Sequence, residues 1–512
     1  MSLDALLDAD FKTPPWDHQL REFELGVELR ARALLWQMRT GKSKFCIDTA
    51  SHLFRAGLID AVLIFAPNGV HANWVEREVP KHLWDGIPVN SFAWRTRVAG
   101  VKYAERLSKA DREIWETIHA DWHAEVATSI TSRSELAVFS FNSESMIRED
   151  VRRLIKRLIR ERQLLVIWDE SSDFRTPGSS RSRMARSIAP RVAFRRILDG
   201  TPLHNSPLHA FAQFELLERG ALGFMTYKDF EDHFAEFVRE RNRRTKKYYR
   251  VLKAYKNLDE LRDSIAPFSS VVLRSDCSDL PALERRPVHI PLSPEQERVY
   301  REVEKSIRIE IEQGEIVSLR AQTSRLQKLQ QVVGGWLIDK EKVKHKIPGV
   351  NPRLEACSKE VYLASGKVLV FCQFRHEIEE VAARLRADGY GVMTYYGGST
   401  DDEKARVRNE FPTNEDKVVV AQPQSAGRGL EIPADLLMWY SHTWNGIIRE
   451  QASERATVMG GANVNLVDLI SPRVDPYILD TVARNVNIAD DIAGRGLQLI
   501  LDGPLKGLED WL

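Results

Sequence analysis

Short apolar, largely β-branched runs alternate along the chain with longer stretches in which apolar residues recur every three or four positions. The runs form two groups, at residues 61–200 and 367–441, and residues 376–388 are typical of the helical stretches. This alternation predicts strands joined by helices in parallel sheets. The intervening region, about 203–350, is charged, mostly helix-like and poor in strand patterns. We therefore predict an α/β protein with two tandem parallel-sheet domains and helical insertions between them.

The composition is that of an ordinary globular protein. The 512 residues are 43% hydrophobic and 29% charged, which provides for more than one core and excludes a disordered tail protein, a collagen-like fibre or a small disulfide scaffold. The 74 Lys and Arg side chains almost balance the 73 Asp and Glu. This balance does not exclude a nucleic-acid partner, because a binding surface needs local rather than net charge.

Cysteine spacing and apolar run lengths indicate the compartment. The four cysteines show no CxxC spacing, which argues against a zinc site or disulfide framework and favours a reducing environment. Residues 1–12 lack the basic start and apolar centre of a signal peptide. No apolar run approaches the roughly 20 residues of a membrane span. We expect a soluble, intracellular protein with no membrane partner.

A short turn between an apolar run and a helical pattern contains Thr40, Gly41, Lys42 and Ser43. Glycine lets the backbone approach a phosphate, lysine reaches its oxygens, and serine offers a hydroxyl to Mg²⁺ while helix N-terminal amides face the anion. The match to a phosphate-binding loop is incomplete, because Trp36 occupies the first glycine position. Taken alone, the segment is explained equally well by a solvated lysine at a helix start.

Asp169 and Glu170 follow the apolar run at residues 164–168. The carboxyl ends of parallel strands are where such sheets bind ligands, so we predict that Asp169 holds Mg²⁺ and that Glu170 polarises an attacking water. The alternative is a cap for the following helix. The upstream turn favours the nucleotide site. Residues 199–205 form a third polar turn after a strand-like run.

These turns resemble, in order, the motifs of superfamily 2 helicases. Residues 40–43, 169–182 and 198–217 resemble motifs I, II and III, and residues 66–79 resemble motif Ia. Downstream, segments at residues 367–374, 424–445 and 449–461 resemble motifs IV, V and VI. The similarity is to the SNF2 branch of double-stranded DNA translocases and extends over roughly residues 12–485. The collinear order of these motifs is far more specific than any one of them.

The resemblance implies two RecA-like lobes at residues 1–285 and 286–512, with helical insertions at about 204–265 and 293–345. It implies the cofactors ATP and Mg²⁺, with Gln19 reading adenine and Ser43 and Asp169 as metal ligands. The other implied nucleotide-binding residues are Thr40, Gly41, Lys42, Ser43 and Gly429. Catalysis would depend on Lys42, Asp169, Glu170 and Arg455, and nucleic-acid contacts on Asn68, Gln373 and Ser425.

Motif VI departs from the family pattern. Val458 occupies the position of its second arginine, which leaves Arg455 alone. In the family this arginine pair reaches the γ-phosphate, and an arginine finger is worth roughly 10³–10⁵ in turnover in related NTPases. The sequence therefore predicts slow hydrolysis unless Arg428 or Arg449 substitutes.

Residues 239–256 form a dense basic segment with interleaved tyrosines. With helicase motifs around it, the segment is predicted to be an arm that contacts DNA phosphates, although a solvated helix face or flexible loop is the alternative. Such contacts would be salt-sensitive and independent of sequence. The predicted contact residues are Arg243, Arg244, Lys246 and Lys247.

Together these features predict a monomeric, ATP-dependent motor that translocates on or remodels double-stranded or branched DNA in the cytoplasm of a bacterial or phage-infected cell. Two alternatives stay open. One is a helicase that unwinds or anneals forks or RNA. The other is a nucleotide-gated DNA-binding scaffold with weak turnover, which Val458 favours.

Overall fold

The structure is a computed structural model of the chain. It describes residues 11–483 except 69, 96–97, 99–103, 105–106, 201–205, 242–247, 274–276, 278–282, 313–318, 340, 342, 427–431 and 458–462. The chain divides into two compact units, Met1–Cys277 and Ser278–Leu512. No helix among the described residues has the length and apolar character needed to cross a bilayer.

Unit 1 is built on a parallel sheet of seven strands, in the order β3-β4-β2-β5-β6-β1-β9. Its strands are β1 Ala31–Trp36, β2 Ala61–Ala66, β3 Val89–Ala93, β4 Leu136–Asn142, β5 Leu164–Asp169, β6 Phe194–Leu198 and β9 Ser269–Val272. Its helices are α1 Asp17–Gly26, α2 Lys42–Arg55, α3 His71–Asn73, α4 Val79–His82, α5 Lys109–Thr131, α6 Glu149–Glu161, α7 Ser180–Ile188, α8 His209–Phe214, α9 Tyr227–Phe234 and α10 Leu258–Ile265. A separate antiparallel hairpin pairs β7 Ala235–Arg241 with β8 Tyr248–Tyr255.

The central strands β2 and β5 of unit 1 are buried along their whole length because both faces of the sheet are covered there. In β5, Leu164, Val166 and Trp168 enter one buried cluster, whereas Leu165 and Ile167 enter the other. Side chains alternate between the faces of a strand, so a continuous apolar run fills two cores. In β5 the first polar residue is Asp169, at the carboxyl end of the strand.

Unit 2 contains a parallel sheet of six strands, in the order β10-β17-β16-β13-β15-β14, and a small hairpin of β11 and β12. Its strands are β10 Leu283–His289, β11 Trp336–Ile338, β12 Lys344–Lys346, β13 Val368–Phe371, β14 Val392–Tyr395, β15 Val418–Ala421, β16 Leu436–Trp439 and β17 Val464–Ile470. Its helices are α11 Pro294–Glu312, α12 Leu319–Val333, α13 Pro352–Leu363, α14 Arg375–Ala387, α15 Asp401–Asn409, α16 Pro423–Ala426, α17 Gly446–Ser453 and α18 Val474–Ala483.

The predicted α/β class with two parallel-sheet domains is confirmed. The expected boundary at 285/286 lies within β10, which pairs along its length with β17 of unit 2. The expectation that residues 203–350 are poor in strands is wrong, because both hairpins and the sheet strands β9 and β10 lie there. Charged residues are interspersed among the apolar residues of each hairpin, so the sequence shows no apolar run there that would predict a strand.

Candidate nucleotide and nucleic-acid sites

The turn between β1 and α2 is shaped by Gly41 and by a glutamine from α1. Gly41 has a φ of 82°, a left-handed conformation that glycine adopts without strain. Nε2 of Gln19 donates to the carbonyl oxygens of Gly41 at 3.2 Å and Thr40 at 3.4 Å. A Cβ atom on Gly41 would collide with that same nitrogen. Gln19 therefore supports the turn directly.

Lys42 opens α2 and points back over the turn. Its ammonium group donates to the carbonyl oxygens of Trp36 at 2.7 Å and Gln37 at 3.1 Å. The Thr40 hydroxyl donates to the same Gln37 carbonyl oxygen at 2.7 Å. Ser43 lies in the first turn of α2, whose free N–H groups form an anion-binding position. The turn thus gathers an ammonium, a hydroxyl and helix amides.

Asp169 ends β5 and is held on both of its oxygens. The indole Nε1 of Trp74 donates to Oδ2 at 2.9 Å, and the backbone N–H of Glu170 donates to Oδ1 at 3.0 Å. Burial raises the pKa of Asp169, while the Trp74 hydrogen bond and the Lys42 ammonium favour the ionised form. Trp74 begins a π-helical turn, Trp74–Glu78, a feature frequent at functional sites.

Asp199 belongs to the same edge of the sheet. It follows β6, which lies between β5 and β1 in the sheet. Its Oδ2 accepts the backbone N–H of Ser172 at 2.7 Å and the hydroxyl of Ser171 at 3.2 Å. The carboxyl ends of three neighbouring strands therefore carry the lysine turn, Asp199 and Asp169 with Glu170.

Arg196 is a buried support and not part of a basic surface. Its guanidinium donates to the carbonyl oxygens of Gly26, Val27 and Leu29 at the end of α1 and beyond it, at 2.9–3.0 Å. Burial lowers the pKa of Arg196 to about 10. Arg196 ends an arginine-rich stretch of the sequence, residues 181–196, but its own side chain is buried in the core. There it anchors the helix that carries Gln19.

In unit 2, Gln373 and Ser425 follow neighbouring parallel strands. Gln373 comes after β13 and Ser425 lies in α16 after β15, and the two strands pair in register. Nε2 of Gln424 donates to Oε1 of Gln373 at 3.1 Å, and Nε2 of Gln422 donates to its carbonyl oxygen at 3.3 Å. The structure therefore brings the two predicted contact segments together at one edge of the sheet.

Beneath Gln373 lies a buried carboxyl group. The Ser441 hydroxyl accepts the backbone N–H of Gln373 at 2.7 Å and donates to Oε2 of Glu377 at 2.5 Å. Glu377 is fully buried, and burial raises its pKa to about 7. The segment after β13 is thus tied to the core of unit 2 through one serine.

Arg455 and Arg449 occupy different surroundings in unit 2. Arg455 lies in the 3₁₀ turn Glu454–Ala456 and is 9% exposed. Arg449 donates to Oδ1 of Asp468 at 2.5 Å and to Nδ1 of His442 at 3.1 Å, and it lies over the Trp439 ring. Because Arg449 is buried and paired, it is a poor substitute for the missing arginine at position 458.

Asn68 lies in the turn after β2, and its side chain is exposed. Several other predicted residues lie outside the described part of the chain, and their placement stays a prediction. They are Gly429, Arg243, Arg244, Lys246 and Lys247, together with Arg428 and Val458.

Comparison with known protein families shows the family to which this chain belongs. Residues 22–346, more than half of the chain, match the SNF2-related domain, and residues 353–460 match the helicase conserved C-terminal domain. The chain belongs to the SNF2-related family. As a member of that family it is a helicase-like, DNA-dependent ATPase, and the resemblance of its motifs to the SNF2 branch is confirmed.

Two solved structures of the Sulfolobus solfataricus SWI2/SNF2 ATPase core, one of them in complex with double-stranded DNA, are also similar to this SNF2-related chain. Both share 18% sequence identity with it at a TM-score of 0.39. The alignments cover 97% and 99% of this chain and 96% of each of those chains. No curated protein sequence matches the chain.

In this SNF2-related ATPase, the sequence does not predict Trp74 as a partner of Asp169. The tryptophan lies 95 positions before the aspartate, so no local spacing could reveal the contact. Its place in the segment that resembles motif Ia was the one available signal.

Proposed function

We propose that this chain is an ATP-driven motor that moves on double-stranded or branched DNA and contacts the backbone without sequence specificity. Family membership supports the ATPase activity, and the strand-end residues of unit 1 support a bound nucleotide. The proposal goes further, because it assigns the energy of hydrolysis to movement on DNA.

The residues at the carboxyl edge of the unit 1 sheet fit ATP with Mg²⁺. Phosphate oxygens would compete with the Trp36 and Gln37 carbonyls for the Lys42 ammonium, and the amides at the start of α2 favour an anion. Mg²⁺ typically takes one or two protein oxygens and completes its shell with phosphate and water, which suits Ser43 and Asp169. When bound, the ion neutralises phosphate charge. Glu170 would orient the water, and the role of Arg455 stays a prediction.

The hydrogen bond from Trp74 to Asp169 carries the proposal. Trp74 lies six residues after Asn68, in the short helical segment that begins at His71. Asn68, a predicted DNA contact, thus precedes this segment, and Trp74 within the segment touches the predicted metal ligand. A DNA-induced shift of the segment would reach the Asp169 carboxylate through a single side chain. The contact gives a physical reason for hydrolysis to depend on DNA.

The proposed DNA contacts combine small polar groups with a basic arm. Asn68, Gln373 and Ser425 present amide and hydroxyl groups suited to phosphate oxygens. Between β7 and β8 the sequence supplies Arg243, Arg244, Lys246 and Lys247. None of these side chains implies recognition of particular bases.

Steady-state ATP hydrolysis with different polynucleotides tests the proposal. We expect strong stimulation by plain duplex DNA and loss of turnover in Lys42→Ala, whereas Lys81→Ala, at an exposed lysine of the same unit, retains it. Stimulation only by single strands or RNA would instead support the unwinding or annealing helicase. Tight ATP binding without turnover would support the scaffold.

A further inference from the structure

The β7–β8 hairpin stands apart from the parallel sheet of unit 1. Its base is fixed, because Ala235 is buried and Phe237, Leu252 and Tyr255 pack against the core. From this base the pairing runs outward from Ala235–Tyr255 to Arg241–Tyr248. At roughly 3.3 Å per residue, the strands extend about 20 Å. The hairpin is therefore an arm anchored at one end.

Exposure increases along the arm towards its outer end. Ala235 is 4% exposed, whereas Tyr249 is 49% and Tyr248 is 68% exposed. Tyrosine combines a large apolar ring with a polar hydroxyl, which suits it to interfaces, and two tyrosines lie at the outer end of this anchored arm. The tyrosines thus mark the outer end as the part that meets a partner.

The two faces of the arm differ in character. Side chains alternate across a strand and directly paired residues share a face, which places Arg239, Arg241 and Tyr248 together. The opposite face carries Val238, Val251 and Tyr249. One face of the outer arm therefore carries arginines and Tyr248, and the register places Tyr249 on the other face, paired with position 240.

The charge of the arm selects a polyanionic partner. Residues 235–255 contain eight Lys and Arg side chains but only two Glu, although the whole chain has a net charge of +1. Arg250 and Lys253 are paired with Glu231 and Glu236 near the base. The excess positive charge therefore belongs to the outer arm and the residues that join its strands.

We propose that this arm engages the branch point of a DNA junction, where arginines hold phosphates and the two tyrosines stack on bases exposed as the strands part. The inference rests on the proposed DNA motor and adds its substrate structure. Stacking on an aromatic ring requires an exposed base face, which the interior of an intact duplex does not offer. The tyrosines are therefore of use at forks and single-strand junctions rather than along plain duplex.

Binding to a forked DNA and to a blunt duplex of equal paired length, measured by fluorescence anisotropy, tests the proposal. We expect the wild-type chain to prefer the fork. The double variant Tyr248→Ala/Tyr249→Ala should lose about 30-fold or more of its fork affinity, because both stacked bases lose their aromatic partner. Its affinity for blunt duplex and its duplex-stimulated ATP hydrolysis should remain.

A matched control uses an adjacent exposed pair in unit 2. Tyr362 is 74% and Leu363 is 63% exposed at the end of α13, so Tyr362→Ala/Leu363→Ala removes similar surface elsewhere. This control should bind the fork as the wild type does. Separately, Arg239→Gln/Arg241→Gln should weaken binding to both the fork and the blunt duplex. The slope of log affinity against log salt concentration should become shallower by about 0.9 for each lost phosphate contact.

The outcomes separate this inference from the proposed function. If the tyrosine variant melts like the wild type and binds the fork as tightly, or loses fork and duplex affinity equally, the junction role is wrong. If neither the tyrosine nor the arginine variant changes DNA binding, the arm serves a different class of partner. Failure of any DNA to stimulate the wild-type ATPase would instead refute the motor itself.

Discussion

Two buried tryptophans in unit 1 donate to buried aspartates at the same distance. Trp74 donates to Asp169 and Trp84 donates to Asp48, each at 2.9 Å. Asp48 is also paired with Lys44 within α2, whereas Asp169 ends β5 at the predicted metal position. The same local chemistry is therefore found at a carboxylate paired within a helix and at the carboxylate that we predict to bind the metal.

Replacing each indole in turn distinguishes these roles. A hydrogen bond to a charged group is worth about 1.5–3 kcal/mol, so Trp74→Phe should lower kcat by about 10-fold or more. The gain in ADP affinity on adding Mg²⁺, measured by calorimetry, should shrink as well. Trp84→Phe should lose as much thermal stability as Trp74→Phe does. It should keep the wild-type kcat and the wild-type gain in ADP affinity on adding Mg²⁺. Equal behaviour of the two variants would contradict a positioning role for Trp74.

Gly41 provides a second test at this scale. Gly41 and Gly57 both have positive φ angles, but a Cβ on Gly57 would meet nothing within 4 Å. Gly57→Ala should therefore lower the free energy of unfolding only by the cost of a left-handed backbone at alanine, about 1–2 kcal/mol. Gly41→Ala should also displace Gln19 and weaken nucleotide binding by about 10-fold or more, as fluorescent-nucleotide titration would show. Retained affinity would mean that the turn tolerates a shifted Gln19.

At the scale of elements, buried parallel strands were predictable and the hairpins were not. Runs such as residues 164–168 are apolar throughout because both sheet faces are covered. In β7 and β8, charged residues alternate with a few apolar ones, and stability comes from cross-strand contacts such as Arg250 over the Phe237 ring at 4.1 Å. Such contacts join residues distant in sequence and leave no periodic signal.

The segment after β13 should make the stability of the protein depend on pH. Burial raises the pKa of Glu377 from 4.5 to about 7, so the folded chain retains a proton that the unfolded chain releases. The contribution of Glu377 to the free energy of unfolding is complete below the pKa of the unfolded chain. It is lost as pH rises through the folded pKa of about 7, which lowers the free energy of unfolding by about 3 kcal/mol.

Denaturant unfolding at about pH 5 and about pH 8 measures this effect. Glu377→Gln should reduce the loss of unfolding free energy between the two conditions, whereas Glu379→Gln, at an exposed position on the same helix, should not. An unchanged pH dependence in Glu377→Gln would show that other groups are responsible.

At the scale of the whole molecule, the order of the motifs indicated the family, and the family matches confirm it. The sequence alone could not distinguish functional from structural arginines. Arg449 was a candidate substitute in motif VI, but its pairing with Asp468 is a long-range contact. Arg196 lies in an arginine-rich stretch of the sequence, but it supports α1.

The motif VI departure predicts a gain of function. If Val458 leaves the ATPase short of one arginine, Val458→Arg should raise kcat, and Arg455→Ala should abolish turnover. We expect a smaller gain than the roughly 10³–10⁵ of a complete arginine finger, because Arg455 is already present. If Val458→Arg does not raise turnover while Arg455→Ala still abolishes it, the argument from the missing arginine is wrong.

Movement on DNA is tested most directly by displacement of a third strand from a triplex, which requires translocation along the duplex but no separation of its strands. The account predicts that the wild-type chain releases the third strand when ATP is present. Release should fail with a non-hydrolysable analogue and in Lys42→Ala. DNA-stimulated ATP hydrolysis without release of the third strand would contradict a translocating motor.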